Sequence, residues 1–458
     1  MKLTFVIALF LTSLAALHAA DETKQKPNIL HINADDHRAD CLGALGNPVV
    51  KTPNLDKLAE RGLTFTHCYT MGSMSGAVCQ PSRTMLQTGK SWQHVPKQGA
   101  GDPETSLAKV MSRAGYETWH CGKGGNEYPV GLKAFDTNLI MDDHPLVMRR
   151  GSSERHADAA IKFLINRKSE KPFYIYLAPP VPHDPRVAAP EFHKMYDPAK
   201  LPLPPAFLPQ HPFDNGDMSV RDENLAPFPR TPENTKQQLA DYYACVTGLD
   251  HHIGRIFEQL KKSGQWENTI IIFTGDNGLS LGDHGLFGKQ NLYEFGGMHV
   301  PFIIAGPGIR HGKTDAFVYL MDLFPTFAQF AGATLPENID GKSLMPVING
   351  TQPNVRDLLY TGYKDCQRSI RDKRWKLLRY PQVNQTQLFD LQNDPHELTN
   401  LANKPEYAAK VAEMMEKLQM EMKRSDDTFP LTVSSPQPSE WNPSSAKTKT
   451  KKKKTKTQ

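Results

Sequence analysis

Thr269-Ile270-Ile271-Ile272-Phe273 restricts the fold more than any other run: five β-branched or aromatic residues in a row, closed by Thr274-Gly275-Asp276-Asn277-Gly278. Such a run has no polar face, as expected of a strand buried on both sides within a parallel sheet. Asn28-Ile29-Leu30-His31-Ile32-Asn33 repeats the arrangement and ends in Ala34-Asp35-Asp36. Phe173-Tyr174-Ile175-Tyr176-Leu177 does so again before Pro182-His183-Asp184-Pro185, and residues 116–121 lead into Gly122-Lys123. Strands are also expected at 64–69, 300–305 and 317–320. Between them fall helical patterns: one opened by Thr52-Pro53-Asn54 and stopped at Gly62, then 107–113, 157–165, 237–262 and 323–331. The alternation predicts an α/β fold, a central and mostly parallel sheet between helices. Polar residues gather just past the strand ends, where open sheets of this kind place their ligands.

From about residue 351 the texture changes. Residues 358–363, 369–379 and 387–391 read as antiparallel strands, followed by a helix at 406–422, which makes a smaller C-terminal α+β subdomain. The expected organisation is a signal peptide at 1–20, a catalytic domain at 21–350, this subdomain at 351–425, and a disordered tail at 426–458, Ser/Pro-rich and then Lys/Thr-rich. The first twenty residues have one lysine, a short apolar run and a small-residue end at Ala19-Ala20, the layout of an export signal and too short for a typical spanning helix. An exported protein, periplasmic or secreted and without stable membrane insertion, is expected. The formal charge of +5 is a property of the tail: without the seven lysines of residues 446–458 it falls to −2, and without Lys2 to −3. The near-neutral body carries no nucleic-acid module. Six scattered cysteines exclude a disulfide-built fold and a C-x-x-C zinc site.

Two acidic pairs, Asp35-Asp36 and Asp276-Asn277, close two of the strands. Three carboxylates and an amide oxygen suit a hard cation, calcium best and magnesium second. Cys79-Gln80-Pro81-Ser82-Arg83 continues to Thr84-Met85-Leu86-Gln87-Thr88-Gly89, giving C-x-P-S-R-x-x-L-x-T-G. This stretch resembles the signature of the type I sulfatases, in which the cysteine is oxidised to formylglycine. The resemblance runs from Pro27 to about Ala402. It takes in both acidic pairs, Gly122-Lys123, Pro182-His183-Asp184-Pro185 and Gly288-Lys289-Gln290-Asn291-Leu292-Tyr293-Glu294, and late segments around Arg368 and Phe389 similar to the end of bacterial sulfatases.

That resemblance implies the alkaline phosphatase-like fold and a sulfuric ester hydrolase that removes sulfate from a sulfated saccharide. It implies a calcium ion held by Asp35, Asp36, residue 79, Asp276 and Asn277, and a sulfatase-maturating enzyme as partner. A hydrated aldehyde at position 79 attacks sulfur with one hydroxyl and displaces the alcohol; its second hydroxyl then expels sulfate and restores the aldehyde. A serine or a plain thiol lacks that exit. Lys123 and Lys289 balance charge during transfer. Arg83 lies one helical turn beyond Cys79 and is placed to hold the hydrate. His183 is the expected general acid toward the sugar oxygen, with His284 next in line. One departure stands out: many sulfatases read Gly-Lys-Trp-His where this chain has Gly122-Lys123-Gly124-Gly125-Asn126. His120 and Asn126 are the nearest substitutes, and strand alternation turns His120 away from Lys123. Two other functions fit the same residues: phosphonate or phosphodiester hydrolysis, and glycan binding without turnover.

Overall fold

The computed structural model describes residues 26–97, 100–141 and 152–443; the expected signal peptide at 1–20 and the lysine-rich end lie outside them. Nine strands occupy the first part: β1 Asn28–Ala34, β2 Leu63–Tyr69, β3 Gly72–Ser73, β4 Glu117–Gly122, β5 Thr137–Ile140, β6 Phe173–Ala178, β7 Thr269–Gly275, β8 His299–Ala305 and β9 Gly312–Tyr319. All but β3 form one sheet in the order β5-β4-β6-β1-β7-β8-β2-β9. Only β8 runs against its neighbours. Every residue of β1 and β7 is buried, because helices cover both faces. On one face Ile29, Tyr176 and Ile272 pack with Leu107, Met111 and Phe327. On the other, Leu30, Ile271 and Phe273 pack with Leu58, Leu164 and Ile253, the last from the long helix Pro232–Lys262.

The C-terminal subdomain is a second sheet, β13-β12-β11-β10-β3, built from β10 Leu359–Tyr363, β11 Gln367–Arg371, β12 Trp375–Tyr380 and β13 Gln385–Asp390. Met414, Leu418 and Met422 of the helix Ala408–Arg424 are buried in the core that it shares with this sheet. The fifth strand is lent by the first domain: β3 pairs in parallel with β10, Gly72 opposite Gly362. A Cβ on Gly72 would stand 2.2 Å from the Gly362 carbonyl oxygen, so the approach admits only glycine. The loop that leads to Cys79 is thereby fastened to the subdomain.

Three expectations need correction. Residues 369–379 are not one strand but a hairpin, β11 and β12, turning at Asp372-Lys373-Arg374, where Asp372 Oδ1 accepts the N–H groups of Arg374 and Trp375. The edge strand β5 was not expected, and β9 begins at Gly312, five residues before the apolar run that signals it. The disordered tail does not begin at 426. Asp427 is paired with the buried Arg368, Asp214 N–H donates to the Ser439 carbonyl, and Trp441 packs on Phe228. Among the described residues no helix is long and apolar enough to cross a membrane, and all six cysteines are free and buried.

Candidate active site

β6, β1 and β7 are adjacent and parallel, so their carboxyl ends deliver the polar residues to one place. Asp35 bridges to Pro182, and Asp276 N–H donates to the Ala34 carbonyl at 3.0 Å. Asp36 adopts φ 62°, a left-handed conformation that Asp tolerates better than most residues. That turn directs its N–H to Asp276 Oδ1 at 2.9 Å. Asp35, Asp36, Asp276 and Asn277 are all buried.

Cys79 opens the helix Cys79–Thr88, and Ser82 Oγ ties that helix to the Asp276 carbonyl at 2.6 Å. Its Sγ lies 3.4 Å from Asp35 Oδ1 and 3.4 Å from Asp36 Oδ1. Lys289 Nζ stands 3.0 Å from the same sulfur and 2.7 Å from Asp36 Oδ1. Burial and then Asp276 push the Cys79 thiol well above its ordinary pKa. An unmodified thiol here is neutral and a poor nucleophile. Burial opposes the charge on Lys289, yet Asp36 raises its pKa well above the usual value, so it stays cationic.

Arg83 spends its guanidinium on carboxylates. Nε donates to Asp276 Oδ2 at 2.8 Å, Nη2 is 3.3 Å from Asp35 Oδ2, and Nη1 is paired with Glu127. Lys123 is paired with Asp35. Although burial works against ionisation of Asp35, Lys123 and Arg83 hold its carboxyl well below the ordinary range.

The donor set fits a hard cation. Asp35, Asp36, Cys79 and His183 each offer an atom within 4.8 Å of all the others. Asn277 Oδ1 is buried with no hydrogen-bond partner, while its Nδ2 is anchored to Asp36 Oδ1 at 2.7 Å. Asp276 stands just outside that group and meets it through Asp36.

A protein family described as Sulfatase matches residues 27–333, two thirds of the chain. The chain belongs to the sulfatase family. The C-terminal part of this sulfatase, residues 282–424, also matches the family described as N-sulphoglucosamine sulphohydrolase, C-terminal. An N-acetylglucosamine-6-O-sulfatase of Bacteroides thetaiotaomicron is 28% identical over 518 positions, covering 93% of this chain and 92% of that protein. A solved enzyme in complex with its substrate D-glucosamine-2-N,6-O-disulfate superimposes with TM-score 0.74 at 25% identity, over 89% of this chain and 99% of its own. The phosphonate monoester hydrolase of Silicibacter pomeroyi gives TM-score 0.72 at 26% identity, over 88% of this chain and 96% of its own. The alkaline phosphatase-like architecture and the sulfuric ester hydrolase class follow.

Within the sulfatase, Cys79, Lys123, Lys289, His183 and both acidic pairs converge as the sequence implies. Arg83 converges too, but its ion pairs are with Asp35, Asp276 and Glu127 rather than with Cys79. His183 Nε2 is 3.8 Å from Asp36 Oδ2, and Nδ1 is 2.6 Å from the Asp184 carbonyl. His284 stacks on Tyr293 with ring centres 3.7 Å apart, and burial lowers its pKa to about 3. His120 is packed against Tyr176 and Phe135, lowered to about 3 by burial, and hydrogen-bonded to Asn138. Asn126 is exposed. Sequence reasoning missed Glu127, which is 1% exposed. Its one signal was an acid just beyond Gly122-Lys123, in a glycine-rich turn with no periodicity.

Proposed function

We propose that this sulfatase removes sulfate from a sulfated carbohydrate after a maturating enzyme has oxidised Cys79 to formylglycine. In this reading Asp35, Asp36, Asp276, Asn277 and residue 79 hold a calcium ion. The observation that carries it is the position of Cys79: its sulfur marks the place of the hydrate oxygens, with Lys289 and two carboxylates around it. When bound, the cation supplies Lewis acidity and positive charge at residue 79 and the sulfate oxygens. Lys123 and Lys289 are fixed before the substrate arrives, so they stabilise charge moving onto the leaving oxygen without reorganising. Arg83 holds Asp35 and Asp276 in place. His183, steadied at Nδ1 by the Asp184 carbonyl and with Nε2 3.8 Å from Asp36 Oδ2, protonates the sugar oxygen from Nε2 in this reading. Sugar-sulfate relatives support the carbohydrate, and the leader at 1–20 supports export to the periplasm or medium. The division at about residue 350 is supported by the two sheets, with β3 as the strand that crosses it.

Phosphonate monoester hydrolysis is a second reading, favoured by the likeness to an enzyme of that activity. Turnover of defined sulfated mono- and oligosaccharides, beside a phenyl phosphonate ester, separates the two. Sulfate release from a sugar at a rate far above phosphonate cleavage is expected; the reverse order would overturn the carbohydrate reading.

A further inference from the structure

Glu127 is a buried charge that the reaction outlined above does not use. It follows the turn Gly124-Gly125-Asn126, where Asn126 adopts φ 59° and sends the chain back inward. Its Oε1 accepts from Arg83 Nη1; its Oε2 is buried with no hydrogen-bond partner. Arg83, Lys123 and Asp276 are the charged groups that face it. Among the described residues, the inner site therefore holds five carboxylates, Asp35, Asp36, Asp222, Asp276 and Glu127, against three cations, Arg83, Lys123 and Lys289. Three of those carboxylates stand at the cation site and would be offset in part by a divalent ion, and Asp222 faces Lys289. Glu127 stands behind Arg83, which it shares with Asp35 and Asp276.

A sulfate monoester carries one negative charge, whereas a phosphate monoester carries close to two above its second pKa of about 6. In a buried site one fixed charge acts over many ångströms, because there is little water to screen it. Each unit of positive charge in the site therefore favours the dianion over the monoanion. We propose that Glu127 is a specificity-determining residue: through its ion pair with Arg83 it holds the positive charge of the site down to what a monoanionic sulfate ester needs, and so disfavours dianions. The inference rests on the sulfatase reading of this site and adds which ester it rejects. It also gives a reason for an acid to follow Gly122-Lys123 in a chain that lacks the usual histidine there.

The test compares wild type, Glu127→Gln and Glu127→Asp. Gln keeps the shape and an oxygen for Arg83 but loses the charge; Asp keeps the charge. Burial, opposed by Arg83, raises the Glu127 carboxyl to about 7, so measurements at about pH 8 compare an ionised group with a neutral one. With an aryl sulfate and an aryl phosphate of the same leaving group, Glu127→Gln should raise the phosphate-to-sulfate ratio of kcat/KM by about ten-fold or more. Glu127→Asp should keep the wild-type ratio even where kcat falls. Calorimetry with inorganic sulfate, a dianion, on metal-loaded Cys79→Ala protein reads the same charge without turnover. Adding Glu127→Gln should tighten sulfate binding about ten-fold, and adding Glu127→Asp should not. Equal ratios in wild type and Gln, or the same shift in Gln and Asp, would overturn the proposal and leave Glu127 a packing residue. If wild type cleaves neither the aryl sulfate nor a sugar sulfate, the sulfatase reading fails, and the calorimetry still decides the role of Glu127.

Discussion

Arg83→Lys tests whether one guanidinium organises the site. Arg83 is fully enclosed and reaches Asp276, Asp35 and Glu127 through three different nitrogens. Lysine keeps the charge but offers a single Nζ, so it can hold one of the three carboxylates. Arg83 makes two hydrogen bonds, to Asp276 and Glu127, and an ion pair with Asp35; a hydrogen bond to a charged group contributes about 1.5–3 kcal/mol, and one is lost. Lys123 remains on Asp35, so the lost ion pair adds little and about 1.5–3 kcal/mol is expected. Arg83→Met removes the cation altogether and should cost about 3–5 kcal/mol by leaving buried charge unpaired. The assay is urea unfolding followed by tryptophan fluorescence at fixed metal concentration, beside turnover of an aryl sulfate. Loss of both stability and turnover in Arg83→Lys is the expected result. A change under about 1 kcal/mol with turnover intact would refute the reasoning, because it would mean that the three carboxylates need no shared donor.

Asp276→Asn should lose bound metal and turnover together, read by elemental analysis and a rate assay on the same preparation; unchanged rates after exhaustive chelation would remove the metal from the mechanism. His183→Ala should slow sugar-sulfate hydrolysis about 100-fold or more but an activated aryl sulfate by about ten-fold or less, since only the sugar oxygen needs a proton; equal losses would make His183 a sulfate-binding or structural residue. His94 lies 2.8 Å from Asp340 and 3.0 Å from Asp426, and although burial opposes it, these acids raise its pKa above the ordinary 6.5. Its contribution to stability is full below the unfolded value of 6.5 and is lost as pH rises through the raised folded value. His94→Gln should therefore flatten the melting temperature against pH just above 6.5, and an unchanged slope would exclude this bridge as its source.

Much of the site was legible in the chain because parallel strands carry their functional residues at one end. Asp35-Asp36 and Asp276-Asn277 each close a short, mainly apolar run, and Cys79 heads a helix whose spacing fixes Arg83. What escaped had weak local signals or none. β3 is two residues long and exists only through its pairing with β10. The β11–β12 turn contains no Gly, Pro or Asn, and its one local signal is Asp372, whose side chain bonds the N–H groups two and three residues on. Ser- and Pro-rich residues 431–443 read as disordered from composition, yet Gln437 N–H donates to the Gln382 carbonyl and Arg379 Nε to the Leu431 carbonyl. Bonds to main-chain groups of that kind leave no trace in composition. Glu127 is legible only once Arg83 is seen to face it.

The central claim concerns the chemical state of residue 79. Peptide mass spectrometry on the segment containing Cys79, from protein made with a maturating enzyme and assayed in parallel for sulfate release, tests it most directly. Formylglycine at position 79, in a fraction that rises with specific activity across preparations, is the expected result. A fully active preparation carrying only unmodified cysteine would contradict it.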